Sequence, residues 1–377
     1  MSVQKHIGPV PPSCGAGKAG DDRPGANAWL LAAARNRQTD AVRRRQTQAR
    51  GEGHLQLMAD ELEHAAGAAD DIPDRRLALM FACAHPAIDA GVRTPLILQT
   101  VLGLTADAIA AAFLLPPATM GQRLSRAKAR IRSAGIPFRV PDRDELPERL
   151  DAVLEAIYAA YARGWSDLGE LGTSPLADEA IWLGQLIVSL LPEQPEAKGM
   201  LALMLYAEAR RAARLDAHGA FVPLDRQDVT TWDHDRLGAA EALLRQASAT
   251  GASGRFQIEA AIQSAHVAGR ISGRDVRHAI LALYQHLVTI TASPVAVLNH
   301  AVALADVHGP APALSALDSL DTDARMRAYQ PYWAARGHLL AAAGRPAEAR
   351  HALTMALGLS TDDAVRRYLE ARRDALE

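Results

Sequence analysis

The chain has 377 residues, 49% of them hydrophobic, 22% charged and 5% aromatic, with a formal net charge of −2. That length allows two or three domains with cores of their own, and the apolar content excludes a disordered or fibrous chain. Cys14 and Cys83 are the only cysteines and no apolar run is long enough to span a bilayer, so a disulfide scaffold and a membrane protein are excluded and a soluble cytoplasmic protein is expected.

The apolar residues are mostly Ala and Leu, and no convincing period-2 series occurs, so the expected fold class is all-α. Residues 1–25 are rich in Pro and Gly and predict a disordered N-terminus. The stretch "NAWLLAAARNRQTDAVRRR", residues 27–45, predicts a helix with Asn27 as N-cap. Leu31, Ala34, Gln38, Ala41 and Val42 fall on one side, and Trp29, Asn36, Asp40 and Arg43 on the other. An acidic connector follows, so residues 26–72 form one segment.

Residues 73–135 predict a compact helical unit. Within it, "TADAIAAAFLLPPATMGQRLSRAKARI" places an Ala-rich helix, a Leu-Leu-Pro-Pro break and a second helix without an acidic residue. Thr105 is a good N-cap for the first helix, which buries Ile109 and Phe113. Pro116 and Pro117 open the second, where missing amide protons cost least. Met120, Leu124, Ala127 and Ile131 share its inward face. Thr119, Arg123, Arg126 and Arg130 share the neighbouring face, flanked by Gln122 and, on the other side, by Lys128. Two short helices with a tight turn, the second basic on its open face, describe a helix-turn-helix that would put the second helix in a DNA major groove. The plainer alternative is a solvated helix hairpin.

Residues 136–146, "IPFRVPDRDEL", predict a linker, and residues 147–377 a self-standing helical array. Helices are expected near 176–191 and 195–215. The segments "SPVAVLNHAVALADVHGPAPALSALDSL" and "YQPYWAARGHLLAAAGRPAEARHALTMALGL" align as helix, Gly turn, helix. Gly309 and Gly344 lie 35 residues apart, close to the 34-residue tetratricopeptide period. Ala335, Gly337, Ala341, Ala349 and Ala356 supply the small residues of a close helix crossing. The segment "QIEAAIQSAHVAGRISGRDVRHAILALYQHLVTI" reads as a degenerate third copy.

Two other groups could carry chemistry. Cys83 and His85 offer two metal ligands without a second pair, so a packed thiol is the better reading. Residues 208–236 interrupt the array, and Arg210, Arg211, Arg214, Asp216, Asp225, Asp228 and Trp232 could line a ligand pocket. A buried ion network is favoured over it. No catalytic triad, P-loop or dinucleotide fingerprint occurs, so neither catalysis, a cofactor nor a bound metal is expected.

The motif of residues 104–132 resembles region 4 of the sigma-70 family, in particular the extracytoplasmic-function sigma factors, and residues 28–45 are similar to the end of region 2. "FACAHPAI" and "IPFRVPDRDELPERLDAVLEAIY" resemble the subgroup with a long C-terminal tetratricopeptide-like extension. This chain departs from the pattern at Ala108, where a Glu is usual, and at Ala84, where a second Cys often stands. The resemblance implies a transcription initiation factor whose partners are promoter DNA, the RNA polymerase core and a regulatory protein at the C-terminal repeats. Thr119, Gln122, Arg123, Arg126, Lys128 and Arg130 would meet the −35 element, and Arg35, Asn36, Arg43 and Arg44 the DNA near the −10 element. Residues before Pro24 do not resemble the front of region 2, which implies an N-terminally truncated factor that melts promoters poorly. A DNA-binding regulator without polymerase, or a tetratricopeptide-type scaffold, are the alternatives.

Overall fold

The structure, a computed structural model, describes residues 72–134, 139–166, 174–251 and 253–376. Among these, α-helices and short 3-10 turns supply the regular structure, and the isolated bridge between Leu215 and Phe221 is the one β pairing. The fold is all-α. The expectations for residues 1–71, including Arg35, Asn36, Arg43 and Arg44, lie outside the described residues.

Four helices open the described chain: α1 (Arg75–Cys83), α2 (Ala90–Thr100), α3 (Ala106–Ala112) and α4 (Pro117–Ser133). Local chemistry sets where three of them begin. The Asp74 carboxylate accepts from the amides of Arg76 and Leu77, the Asp89 carboxylate from that of Gly91, and Thr105 Oγ1 from that of Ala108. Helix α2 packs on α1, α3 and α4, and α3 packs on α4.

The core does not break at residue 146. Helix α5 (Leu146–Ser166) packs on α1 and α2 as well as on α6 (Pro175–Leu190) and α7 (Pro195–Glu208). One hydrophobic cluster runs from Ile72 to Val267, through Leu150, Val153 and Ile157 of α5. The fully buried Arg149 ties the parts further, donating to the Phe81 carbonyl at 3.3 Å and to Glu145 Oε1 at 2.9 Å. The expected linker is docked where it is described. Pro141 is buried, Asp142 and Glu145 form a capping box, and Arg143 donates to the Leu190 carbonyl at 3.2 Å. The expected boundary between residues 73–135 and 147–377 therefore runs through a shared core. The physical reason is that α5 buries apolar residues on more than one face, and only one of those faces belongs to the array.

The rest of the chain is a succession of helices: α8 (His234–Ser248), α9 (Arg255–Ser272), α10 (Arg277–Thr291), α11 (Pro294–His308), α12 (Pro310–Asp318), α13 (Ala324–Arg327), α14 (Gln330–Ala342), α15 (Pro346–Leu359) and α16 (Asp363–Asp374). Each packs chiefly on helices close to it in the chain. Helix α7 ends at Glu208, short of the expected residue 215, because the arginines that follow leave the helix and turn inward. Gly309 and Gly344 both have positive φ, 84° and 70°, and each lies between two helices. At Gly337 a Cβ would come within 2.8 Å of Leu353, so the missing side chain is what lets α14 and α15 cross closely.

Two contacts bring distant segments together. Leu114, in the turn between α3 and α4, packs against the hydrophobic cluster built by α11, α12 and α14. Phe221, in the 208–236 segment, meets Tyr368 of α16 edge to face at 5.5 Å.

Candidate nucleic-acid interface

The turn between α3 and α4 is set by its backbone. Phe113 caps α3, and the Leu115 amide donates back to the Ala110 carbonyl at 2.9 Å. Leu114 sits at φ 52°, in the left-handed region that a leucine rarely occupies. Ala110 is fully buried at the crossing. Pro117 then starts α4 with its fixed φ.

Helix α4 divides cleanly. Met120, Leu124, Ala127 and Ile131 are buried, at a spacing that forms one stripe. Gln122, Arg123, Arg126 and Arg130 are exposed, and Thr119 is half-buried beside them. No residue of α4 is acidic. Among the described residues, none of Arg123, Arg126, Arg130 and Arg132 enters an ion pair. Arg126 reaches only the Gln122 carbonyl of its own helix, at a long 3.4 Å. Arg130 and Arg132 also complement the negative end of the helix dipole, so part of the charge has a local structural use. Lys128 differs from the other expected contacts: it is half-buried, and burial lowers its pKa, opposed by the neighbouring Cys83.

The second candidate cluster does not form the ligand pocket considered from sequence. Arg210 and Arg214 are buried, Arg211 is nearly so, and Trp232 is buried with them. Asp216, Asp225 and Asp228 stay at the surface, where Asp216 and Asp228 accept backbone amides of their own turns. Arg211 pairs with the buried Glu208 at 2.6 and 3.0 Å, and the Tyr161 hydroxyl lies 3.2 Å from the same carboxylate. Arg214 donates to the Trp165 carbonyl and stacks 4.1 Å above its ring. Arg210 donates to Gln263 at 2.6 Å and to the Tyr206 carbonyl at 3.2 Å. Burial pushes the guanidinium of Arg214 down to about 9 and that of Arg210 to about 10, which leaves both charged at neutral pH. The cluster fastens an irregular segment to α5, α7 and α9.

Cys83 is buried and its thiol is pushed up to about 12 by burial, which keeps it a thiol at neutral pH. His85 Nδ1 accepts from the Ala87 amide. Among the described residues, no three His, Cys, Asp or Glu side chains come together as a metal site would need.

Sequence reasoning missed two features. Arg76 of α1 pairs with Glu179 and lies 5.3 Å from the Trp182 ring on α6, clasping the first helices to the array. Tyr158, Tyr161 and Trp165 form a ladder of stacked rings on α5, with centroids 6.5 and 6.1 Å apart. The spacing of the ladder, i, i+3 and i+7, was visible as a helical stripe, but a stripe does not distinguish core from cavity wall.

Residues 149–248 match a family of unknown function (DUF6596). The matched stretch runs from α5 to the end of α8 and contains the buried arginine cluster. Over 355 residues the chain is 38% identical to an uncharacterized protein of Rhizobium meliloti (strain 1021), an alignment covering 93% of this chain and 84% of that one. No solved structure matches the chain.

Proposed function

The chain belongs to the same family as that Rhizobium meliloti protein, and from this premise we propose that it is a sigma-type transcription initiation factor. Helices α3 and α4 act as its helix-turn-helix, and the helices from α5 onward form a tetratricopeptide-like solenoid that receives a regulatory protein. The observation that carries this reading is α4, whose exposed arginines have no acidic partner among the described residues and whose Met120–Leu124–Ala127–Ile131 face is buried in the core. A guanidinium held in the open by a rigid helix is suited to phosphates and guanine edges. Thr119, Gln122 and Arg123 lie in the N-terminal half, which enters deepest in this class of motif. Arg126 and Arg130 extend the same strip toward the DNA backbone, whereas Lys128, two residues from each and so turned away from them, is half-buried and is the weakest contributor. The protein works in the cytoplasm with promoter DNA and RNA polymerase, and no catalytic step is assigned to it. Among the described residues no helix is long and apolar enough to cross a membrane.

The test is a salt titration of binding to duplex promoter DNA followed by fluorescence anisotropy, paired with co-purification on the RNA polymerase core. Three or four phosphate contacts give a slope of log K against log salt of roughly −3 to −4. Absence of DNA binding at low salt overturns the reading in favour of a scaffold. Binding to DNA without retention on polymerase overturns the initiation role and leaves a DNA-binding regulator.

A further inference from the structure

Helices α5, α7, α9, α10 and α11 border a cavity of about 90 Å³ that the proposed DNA-binding role does not use. At about 10–15 Å³ for each water-sized occupant, it holds roughly six to nine non-hydrogen atoms. One wall is the ring ladder of Tyr158, Tyr161 and Trp165, and aliphatic side chains of the other four helices complete most of the rest. Burial pushes both phenols up, so the rings stay neutral at physiological pH.

The polar lining divides into groups already engaged within the protein and groups left open. Arg255 and Glu259, the charged groups of the lining, are bonded to each other at 2.9 Å, and Arg255 reaches Glu155 of α5 as well at 3.0 Å. An ion entering the cavity would therefore give up its hydration with no uncommitted counter-charge to meet it. The open groups are neutral carboxamides. Gln263 of α9 accepts from Arg210 through Oε1 at 2.6 Å, which leaves the amide nitrogen, with its two donor hydrogens, unbonded. Asn299, half-buried on α11, makes no hydrogen bond among the described residues. Together the two side chains supply donors and an acceptor, and a ligand group that both donates and accepts matches them.

We infer that this cavity binds a small uncharged aromatic molecule bearing one group that both donates and accepts, of which an aryl carboxamide is the best match. Its ring lies against the Tyr158–Tyr161–Trp165 ladder and its polar group meets Gln263 and Asn299. The site is independent of the DNA-binding reading, since none of its groups lies in α3 or α4.

The experiment is thermal melting of the full chain with benzamide, benzamidine, benzoate and acetophenone. These aromatic probes have the same number of non-hydrogen atoms and are respectively neutral, cationic, anionic, and neutral without a donor. Benzamide should bind with a Kd on the order of 1 mM and, at tenfold that concentration, raise the melting temperature by roughly 2 °C. Benzamidine and benzoate should leave it unchanged, and acetophenone should bind about 3- to 10-fold more weakly than benzamide. Asn299→Leu, which keeps the size and removes the amide, should weaken benzamide by a similar factor. Ala296→Leu, which fills the cavity from α11, should abolish the shift. The probe series on the unaltered chain carries the test if either variant fails to fold. No saturable shift with benzamide, an equal shift with benzamidine or benzoate, equal affinity for acetophenone, or a benzamide shift that survives in Ala296→Leu or is undiminished in Asn299→Leu overturns the assignment.

Discussion

Arg123, Arg126 and Arg130 on α4, and Arg210, Arg211 and Arg214 after α7, are written in the sequence as two similar arginine-rich runs, and the structure treats them in opposite ways. The first set is exposed and without ion pairs among the described residues. The second is buried, stacked on Trp165 and Trp232, and bonded to Glu208, Gln263 and backbone carbonyls. Local charge density does not separate them. What separates them is whether partners exist inside the protein: a guanidinium taken from water needs its donors met within the fold, whereas an exposed one keeps them available for something outside. Other arginines of the array also find partners within the protein, for Arg255, Arg277, Arg325, Arg336 and Arg345 each pair with a carboxylate, although Arg277, Arg325 and Arg345 do so at the surface.

The largest effect that would sharpen this contrast is on DNA affinity. Replacing Arg123 and Arg126 together with Ala should weaken promoter binding by about 2–6 kcal/mol, at about 1–3 kcal/mol for each good base contact. Stability should change by less than about 0.5 kcal/mol per site, because neither side chain is buried. Anisotropy and chemical denaturation measured on one preparation separate the two outcomes. Unchanged affinity in the double variant breaks the contrast at its exposed end.

The buried end should respond in the reverse sense. Arg211→Ala leaves Glu208 nearly enclosed with its strongest partner gone; Arg236, 3.6 Å away and partly exposed, compensates only in part. The expected cost is about 3 kcal/mol of folding stability, near the lower end for one half of a buried pair. DNA affinity per folded molecule should stay as it was. A stability loss below about 1 kcal/mol in urea unfolding would show that the pair is not the fastening it looks to be.

Much of this was legible in the sequence, and the failures have physical causes. The N-cap at Thr105, the proline start of α4 and its buried stripe follow from short-range rules that apply whatever the tertiary context. The turns at Gly309 and Gly344 and the small residue at Gly337 were also visible, because only glycine tolerates what those positions demand. The boundary at residue 146 was not, since prolines and charges in residues 136–146 announce a break in helix while docking depends on distant partners such as the Leu190 carbonyl. A buried network was the favoured reading of Arg210 and Arg214, but their partners were not legible, since their bonds reach Gln263 and Trp165, roughly fifty positions away. Lys128 was placed on a flank of α4 yet counted with the DNA contacts, and that flank turns toward α1, where Cys83 lies.

The smallest expected effect concerns the turn that joins the exposed arginines to the array. Leu114 combines a left-handed backbone with a side chain packed on the cluster of α11, α12 and α14, so strain and contact oppose each other at one residue. Two substitutions divide them. Leu114→Ala removes the contact and keeps the strain, because alanine also has a Cβ. Leu114→Gly removes both, since glycine enters this region without steric penalty. Both should be less stable than the parent, with the glycine variant the more stable of the two by about 1 kcal/mol, once the roughly 1–2 kcal/mol backbone penalty is set against the greater freedom of glycine in the unfolded chain. Urea midpoints at equal slope measure the difference directly. An alanine variant at least as stable as the glycine variant would mean that the turn relaxes out of the left-handed region once the side chain is gone. The contact with the array, rather than the local sequence, would then be what bends the chain into α4 and aims its arginines.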